Sequence, residues 1–197
     1  MTRRDFGWAT VIAVLLLLHF ASPSVGGKDP LSTAGIPPET VADFVHDVIE
    51  ADRTFYTTYV VERMELRGTV VASENWAERG TLPLPAQFLK EASRLVREKR
   101  SGIHYRLISL WPINKHNAPA NEFERLGLEE LQRNPDRPYI GTVVSGGERR
   151  FQAVYADRAV AQACIGCHNA HPDSPKQNFK RNDVMGGIAI SIPLAEK

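Results

Sequence analysis

Both cysteines of this chain lie within five residues, Cys164-Ile165-Gly166-Cys167-His168, and a histidine directly follows the second one. This stretch constrains the fold more than any other, because two thiols and an imidazole this close in sequence also lie close in space. A disulfide between the two cysteines would close a very short loop, where the stabilisation from loop closure is smallest. Stabilising the fold is therefore a poor reason for this pair.

Four chemical interpretations of the motif compete. A thioredoxin-like redox pair needs Cys164 at the start of a helix within a βαβ unit, and neither is evident because the residues after His168 read as a loop. A zinc site could use Cys164, Cys167, His168 and His171, but the adjacent Cys167 and His168 cannot easily reach one ion. A chance motif with an ordinary disulfide is the third. Covalent attachment of one haem c explains every member, because Cys164 and Cys167 add to the two vinyl groups and His168 becomes the proximal iron ligand.

The N-terminal residues 1–26 have the layout of a secretory signal, with Arg3 and Arg4 before an apolar run at 8–20 and small residues after it. The run is shorter than the roughly 20 residues that a membrane-spanning helix needs. We therefore predict a cleaved signal peptide, with an uncleaved anchor to the inner membrane as the alternative. Both predict a periplasmic protein, which agrees with c-type haem because that haem is joined to its chain outside the cytoplasm.

The charge of the chain excludes one class of partner. It carries 24 lysines and arginines against 23 acidic residues, with a net charge of +1 and no long block of one sign. Nucleic-acid binding would need a basic surface that this pattern does not supply. Residues 27–37 are rich in glycine and proline and read as a flexible lead-in, and residues 38–197 suffice for one domain with a real core.

The periodicity of apolar residues predicts one α+β domain in which helices flank an antiparallel sheet. Residues 38–67 predict a long N-terminal helix that ends at Gly68, and shorter helices are predicted at 85–100 and 121–134. Alternating patterns predict strands at 104–113, 141–144, 149–156 and 186–194. The apolar positions at helical spacing on the long helix include Val41, Phe44, Val45, Val48, Phe55 and Tyr59.

Four segments, "ADRTFYTTYVVERM", "LPLPAQF", "LISLWPINKHNAP" and the run 151–194, resemble the exported c-type haem domains with a PAS-like fold, the Tll-type c-haem proteins long catalogued as a domain of unknown function. The resemblance covers 38–194 and is most specific in 151–194, where the cysteine motif, "HPDSPK" and "DVMGG" occur together. It implies a PAS-like sheet that holds one covalent haem. Some relatives carry a kinase or chemoreceptor transmitter, so we expect a membrane-bound signalling partner or a redox partner protein.

The second axial iron ligand is not given by the resemblance, because cysteine serves there in relatives and both cysteines here are committed to attachment. The candidates are His46, His104, His116, His171, Met64, Met185 and water. We predict His46, with Arg53 two turns further along the helix as a counter-charge for a haem propionate. In the alternative, His46 is exposed and Arg53 pairs with a neighbouring acid. Tyr56, on the border of the same flank, and Trp111 are further cofactor-binding candidates.

Two functional classes follow from these predictions. The first is a mono-haem c-type cytochrome for electron transfer or for redox or ligand sensing, favoured by the small size and the lack of evident substrate groups. The second is a haem enzyme such as a small peroxidase, which would need an open iron position and a distal acid or base group such as His46 or Arg53.

Overall fold

The computed structural model describes residues 35–194, so the predicted signal or anchor at 1–26 lies outside the described residues. Within the described part, no helix has the length and apolar character needed to cross a membrane. The helices are α1 (Pro38–Phe55), a π-helix (Tyr56–Glu62), α2 (Arg63–Leu66), α3 (Trp76–Arg79), α4 (Pro85–Glu98), a 3-10 turn (Lys115–Asn117), α5 (Glu122–Arg133) and α6 (Gln162–Ala170). The strands are β1 (Ala72–Ser73), β2 (Leu82–Pro83), β3 (His104–Ile108), β4 (Tyr139–Ser145), β5 (Glu148–Arg158) and β6 (Val184–Pro193).

The central sheet has the strand order β3, β6, β5, β4, and every neighbouring pair is antiparallel. The predicted α+β class, with helices around an antiparallel sheet, is therefore confirmed. The helices predicted at 85–100 and 121–134 are α4 and α5. The small elements β1, β2 and α3 were not predicted, because two to four residues are too few to show a period. The PAS-like description stays a prediction.

Helices cover both faces of this sheet. On one face, Tyr155, Ile188 and Ile190 pack with α1 and α4. On the other, Val154 and Ala189 pack with α5. Strand β5 is consequently buried without interruption from Arg150 to Tyr155, whereas antiparallel strands commonly have one solvated face. The difference arises because burial depends on what packs on each face and not on the strand itself.

The long N-terminal helix is confirmed, and it continues through the π-helical turn to Leu66. Pro38 stands at its first turn, where a missing amide hydrogen costs nothing. Gly68 adopts a positive φ of 64° and ends the helix as predicted. The π-helical turn has no counterpart in the sequence analysis.

The side of this helix that faces the domain is not its most apolar side. The buried side chains are Ala42, Ile49, Arg53, Thr57 and Val61. About half a turn away lies the exposed stripe, which we define as Phe44, Val48, Phe55, Tyr59 and Leu66, with exposed fractions of 61, 62, 60, 57 and 83%. An apolar stripe usually marks the buried side of a surface helix. Here the polar Arg53 and Thr57 are buried instead.

The two glycines of "DVMGG" allow β6 to pack closely. A Cβ on Gly186 would lie 2.3 Å from the carbonyl oxygen of Ile108 on β3. A Cβ on Gly187 would lie 2.8 Å from the Val154 side chain on β5. Real Cβ atoms do not approach other atoms this closely, so any side chain at either position would push the start of β6 away from its neighbours.

Candidate functional site

The cysteine motif lies on helix α6, in the chain segment that connects the antiparallel strands β5 and β6. The expectation that no helix begins near Cys164 is therefore wrong, since Cys164 is the third residue of α6. The N-cap residue Ala161 supplies no side-chain bond. Instead Glu62, from the π-helical turn, accepts a hydrogen bond at 2.9 Å from the backbone N–H of Gln162. This carboxylate takes the place of a local cap, which explains why the local sequence gave no helix start signal.

Both thiols are free in the described structure. Burial raises the pKa of Cys164, which packs against the buried cluster of Ala159, Phe179 and Met185. Desolvation, reinforced by the charge of Glu74, also raises the pKa of Cys167. A thioredoxin-like pair needs the opposite shift and a βαβ unit. Strands β5 and β6 are antiparallel, so this helix does not belong to such a unit.

His168 is half-buried on α6, with its ring edge-on to Phe179 at 5.8 Å between ring centroids. Burial, together with the nearby charges of Arg53 and His171, lowers the pKa of His168. The imidazole is therefore neutral at neutral pH, which is the form that binds metal ions. Its Nδ1 atom is buried without a hydrogen-bond partner.

A cavity of about 770 Å³ lies against α6. Its size falls within the roughly 300–1,000 Å³ that small-molecule and cofactor sites occupy. Cys164, Gly166, Cys167 and His168 all line it. A Cβ on Gly166 would meet no atom within 4 Å, so α6 offers an open surface there. The further lining residues are Arg53, Glu65, Ala72, Glu74, Leu84–Gln87, Lys90, Leu107–Ser109, Pro112–Asn114, Asn117, Asp157, Ala163, His171, Asp173, Met185 and Gly186.

A buried ion pair forms part of the cavity wall. The Arg53 Nη1 and Nη2 atoms lie 2.8 and 2.9 Å from the two carboxylate oxygens of Asp157 on β5. The two side chains are 9 and 7% exposed. Burial raises the pKa of Asp157, and the Arg53 guanidinium opposes that shift. The structure thus places Arg53 at the cavity, where its terminal nitrogens are already bound by a carboxylate.

Asp157 is a site residue that the sequence analysis missed. The available signal was an aspartate at the end of the apolar run Ala153-Val154-Tyr155-Ala156. A carboxylate in a buried strand needs a partner of opposite charge or a function. The partner is 104 residues away in sequence, so local reasoning assigned Arg53 to a haem propionate or, in the alternative, to a neighbouring acid on the same helix.

The structure does not bring His46 into the cavity wall. Its ring stacks on Tyr155, with ring centroids 4.0 Å apart. Tyr155 in turn donates a hydrogen bond of 2.7 Å from its hydroxyl to Asp43. Burial lowers the pKa of His46, and its Nε2 atom has no hydrogen-bond partner. Of the other candidates for the second axial ligand, His171 and Met185 line the cavity, whereas His104, His116 and Met64 do not.

Tyr56 and Trp111 lie close to the site without lining the cavity. Tyr56 stacks on Phe88 at 4.4 Å and donates a hydrogen bond of 2.7 Å to the carbonyl of Pro83. Trp111 meets Phe179 edge-on at 5.9 Å, in the cluster that holds Cys164. Both side chains therefore support the elements around the cavity.

A zinc centre would need several donors around one point. Among the described residues, no group of three or more histidine, cysteine, aspartate or glutamate side chains is placed to hold a metal ion. Cys164, Cys167, His168 and His171 thus line one cavity without converging on a single ion.

Comparison with known proteins places this architecture in a family. The family model described as Tll0287-like matches residues 37–193. A solved structure described as the cyanobacterial heme-protein Tll0287 is 14% identical, with a TM-score of 0.52 over 82% of this chain and 99% of that one. At this identity the structural likeness concerns the fold alone. Comparison with curated proteins found no match. Because the family model spans most of the chain, including α1, the sheet and the cysteine helix, this protein belongs to the Tll0287-like family.

Proposed function

We propose that this protein is a mono-haem c-type cytochrome, with the haem attached through Cys164 and Cys167 and with His168 as proximal ligand. One observation carries the proposal: both thiols and the imidazole, all from α6, line one cavity of about 770 Å³. The solved relative of the same fold is described as a heme-protein. Bound haem would supply iron that cycles between the ferric and ferrous states.

The chain's own residues fit such a group. Cys164 and Cys167 are both free, so each has a sulfur that can add to a vinyl group and form a thioether. The lowered pKa of His168 keeps a ring nitrogen free of its proton. Gly166 leaves the surface of α6 open between the two cysteines, where a side chain would project into the cavity.

The residues in and near the cavity wall suggest which of them would tune or bind the haem iron. Arg53 holds a positive charge close to His168 and Cys164, and Asp157 fixes its position. A fixed charge near the iron shifts a reduction potential through space. His46 remains our predicted second axial ligand, but it would have to leave its stack on Tyr155 to reach the cavity. His171 and Met185 already line the cavity and are the alternatives for that position.

We further propose that the protein acts outside the cytoplasm, in electron transfer or in redox or ligand sensing, with a redox partner or a membrane-bound signalling partner. The apolar run at 8–20 behind Arg3 and Arg4 supports export. The peroxidase alternative has less support, since Arg53 is held by Asp157 and His46 lies outside the cavity wall.

Acid-acetone extraction tests the covalent attachment. The purified protein, produced with a haem-attachment system, should keep its haem, because thioether bonds survive conditions that break iron ligation. The double variant Cys164→Ala/Cys167→Ala should release it. Haem released from the unmodified protein would contradict c-type attachment, while a protein that purifies without any haem would contradict the proposed function as a whole.

A further inference from the structure

The exposed stripe of the N-terminal helix is large enough to be an interface. Phe44, Val48, Phe55, Tyr59 and Leu66 are each more than half exposed. Together they present on the order of 600 Å² of apolar surface, since an aromatic side chain alone has roughly 150–250 Å². The largest apolar patch of a typical monomer is about 300–600 Å², and a standard interface buries about 800 Å² per partner.

The spacing of the stripe is that of a helix–helix seam. Its successive members are separated by four, seven, four and seven residues. These intervals repeat every eleven residues, or about 3.67 residues per turn, and such a repeat forms the contact line of paired helices. The buried side of the same helix already packs on the sheet through Ala42 and Ile49. The stripe is thus a second contact line, turned away from the described domain.

The charges beside the stripe specify the partner and its direction. Asp47, with a side chain 78% exposed, lies towards the N-terminal end, and the exposed Arg63 lies towards the C-terminal end. Both are eight residues from Phe55. In an antiparallel pair centred on Phe55, Asp47 of each helix therefore lies opposite Arg63 of the other. A parallel pair would place like charges side by side, which is unfavourable.

The sizes of the apolar residues agree with the same arrangement. Phe44 and Leu66 are each eleven residues from Phe55, and Ala51 and Tyr59 are each four residues from it. The small Ala51 of one helix thus faces the large Tyr59 of the other. We propose that two copies of this chain form a twofold-symmetric dimer through antiparallel N-terminal helices, with Phe55 at the centre of the seam.

A lipid surface fits the stripe less well. Helices that lie on membranes carry lysine and arginine on their polar face. The first half of this helix carries Asp43, Asp47, Glu50 and Asp52. An anionic membrane surface would repel this half of the helix.

Sedimentation velocity of the purified haem-loaded protein over a range of concentrations tests the dimer. The unmodified protein should dimerise, whereas Phe55→Glu should stay monomeric because two carboxylates would meet at the twofold axis. Leu95→Glu is the matched control, since Leu95 is a 51% exposed apolar residue on α4, and it should dimerise normally. Far-ultraviolet circular dichroism checks that each variant is folded. A protein that is monomeric throughout, or a Phe55→Glu variant that dimerises normally, would overturn the proposal.

Charge reversal tests the direction of the helices. Asp47→Arg and Arg63→Asp should each raise the dimer dissociation constant about tenfold, because each reversal creates two like-charge contacts in place of two attractive ones. The double variant should return to the unmodified value, which only the antiparallel pairing allows. A double variant no better than either single one would exclude that pairing. Binding to zwitterionic lipid vesicles that Phe55→Glu abolishes would assign the stripe to a membrane instead.

Discussion

Arg53 and Asp157 form a buried ion pair in the wall of the cavity. Each is buried, and each leaves the other as an uncompensated charge when it is removed. Arg53→Ala or Asp157→Ala should therefore lower the free energy of unfolding by about 3–5 kcal/mol. The double replacement Arg53→Met/Asp157→Val should cost much less than the two single changes together, because apolar side chains need no compensating charge. Urea unfolding followed by circular dichroism measures both effects.

The exposed ion pair of Arg158 and Asp136 provides the control for this cycle. Its atoms lie 2.6 Å apart, but the Asp136 side chain is 93% exposed. Solvent screens such a pair, so Arg158→Ala should change the free energy of unfolding little. If Asp157→Ala also changed the free energy of unfolding little, the buried pair would contribute no more to stability than the exposed pair of Arg158 and Asp136.

His168 is the residue on which the proposed iron ligation depends. His168→Ala should leave the haem attached, because the thioether bonds involve only Cys164 and Cys167, but it should change the absorption spectrum to that of a high-spin iron or of a substitute ligand. His116→Ala is the control, since His116 is exposed and outside the cavity. An unchanged spectrum in His168→Ala would exclude this residue as the proximal ligand.

Helix α6 depends on an element far from it in sequence. Glu62, on the π-helical turn, accepts a hydrogen bond from the first residue of α6. Its negative charge also suits the N-terminal end of a helix dipole. Glu62→Ala should therefore lower the free energy of unfolding by about 0.5–2 kcal/mol, the usual loss for a helix cap. Hydrogen exchange of the amides at 162–165 should become faster, while Glu78→Ala, on the short α3, should leave it unchanged. Unchanged exchange in Glu62→Ala would show that this carboxylate does not cap α6.

The packing of α1 on the sheet should weaken in acid. Burial lowers the pKa of His46 below its usual 6.5, although Asp43, Asp47 and Glu50 oppose the shift. Below about pH 6.5 the unfolded chain then binds a proton at His46 that the folded chain does not. The free energy of unfolding should fall as the pH is lowered below about 6.5. Above that pH, His46 should not contribute to the pH dependence of the free energy of unfolding.

Urea unfolding at a series of pH values tests this slope in protein produced without the haem-attachment system, where His46 has no iron to bind. His46→Phe keeps a ring on Tyr155 and removes the titrating group, so the variant should lose less stability between pH 6.5 and pH 5 than the unmodified protein. The exposed His116 provides the control, because His116→Phe should leave the slope as it is. An equal slope in His46→Phe and the unmodified protein would contradict the prediction.

For the molecule as a whole, we predict one haem per chain, because the chain has a single pair of cysteines. Intact mass spectrometry of the protein produced in cells that attach c-type haem measures this directly. The mass should equal that of one haem plus a chain that lacks about the first 26 residues, as a signal peptide predicts. A mass that retains these residues would favour the uncleaved anchor, and a mass without haem would contradict covalent attachment.

Local sequence predicted those parts that local chemistry controls. The motif from Cys164 to His168 identified the candidate cofactor donors because all three lie within five residues. The long helix and its end at Gly68 followed from the helical period and from a glycine that can adopt a positive φ. The sheet followed from the alternating patterns, and the resemblance identified the family. These features need no knowledge of distant residues.

Only the tertiary structure determined which side of each helix or strand is buried. It turned Arg53 and His46 inward and left Phe44 and Phe55 exposed, although periodicity alone ranks these side chains the other way. It joined Arg53 to Asp157, and Glu62 to the first turn of α6, across about a hundred residues. The physical reason is the same in each case: a buried charge or an uncapped helix end needs a partner, and the fold, rather than the neighbouring sequence, determines which partner lies within reach.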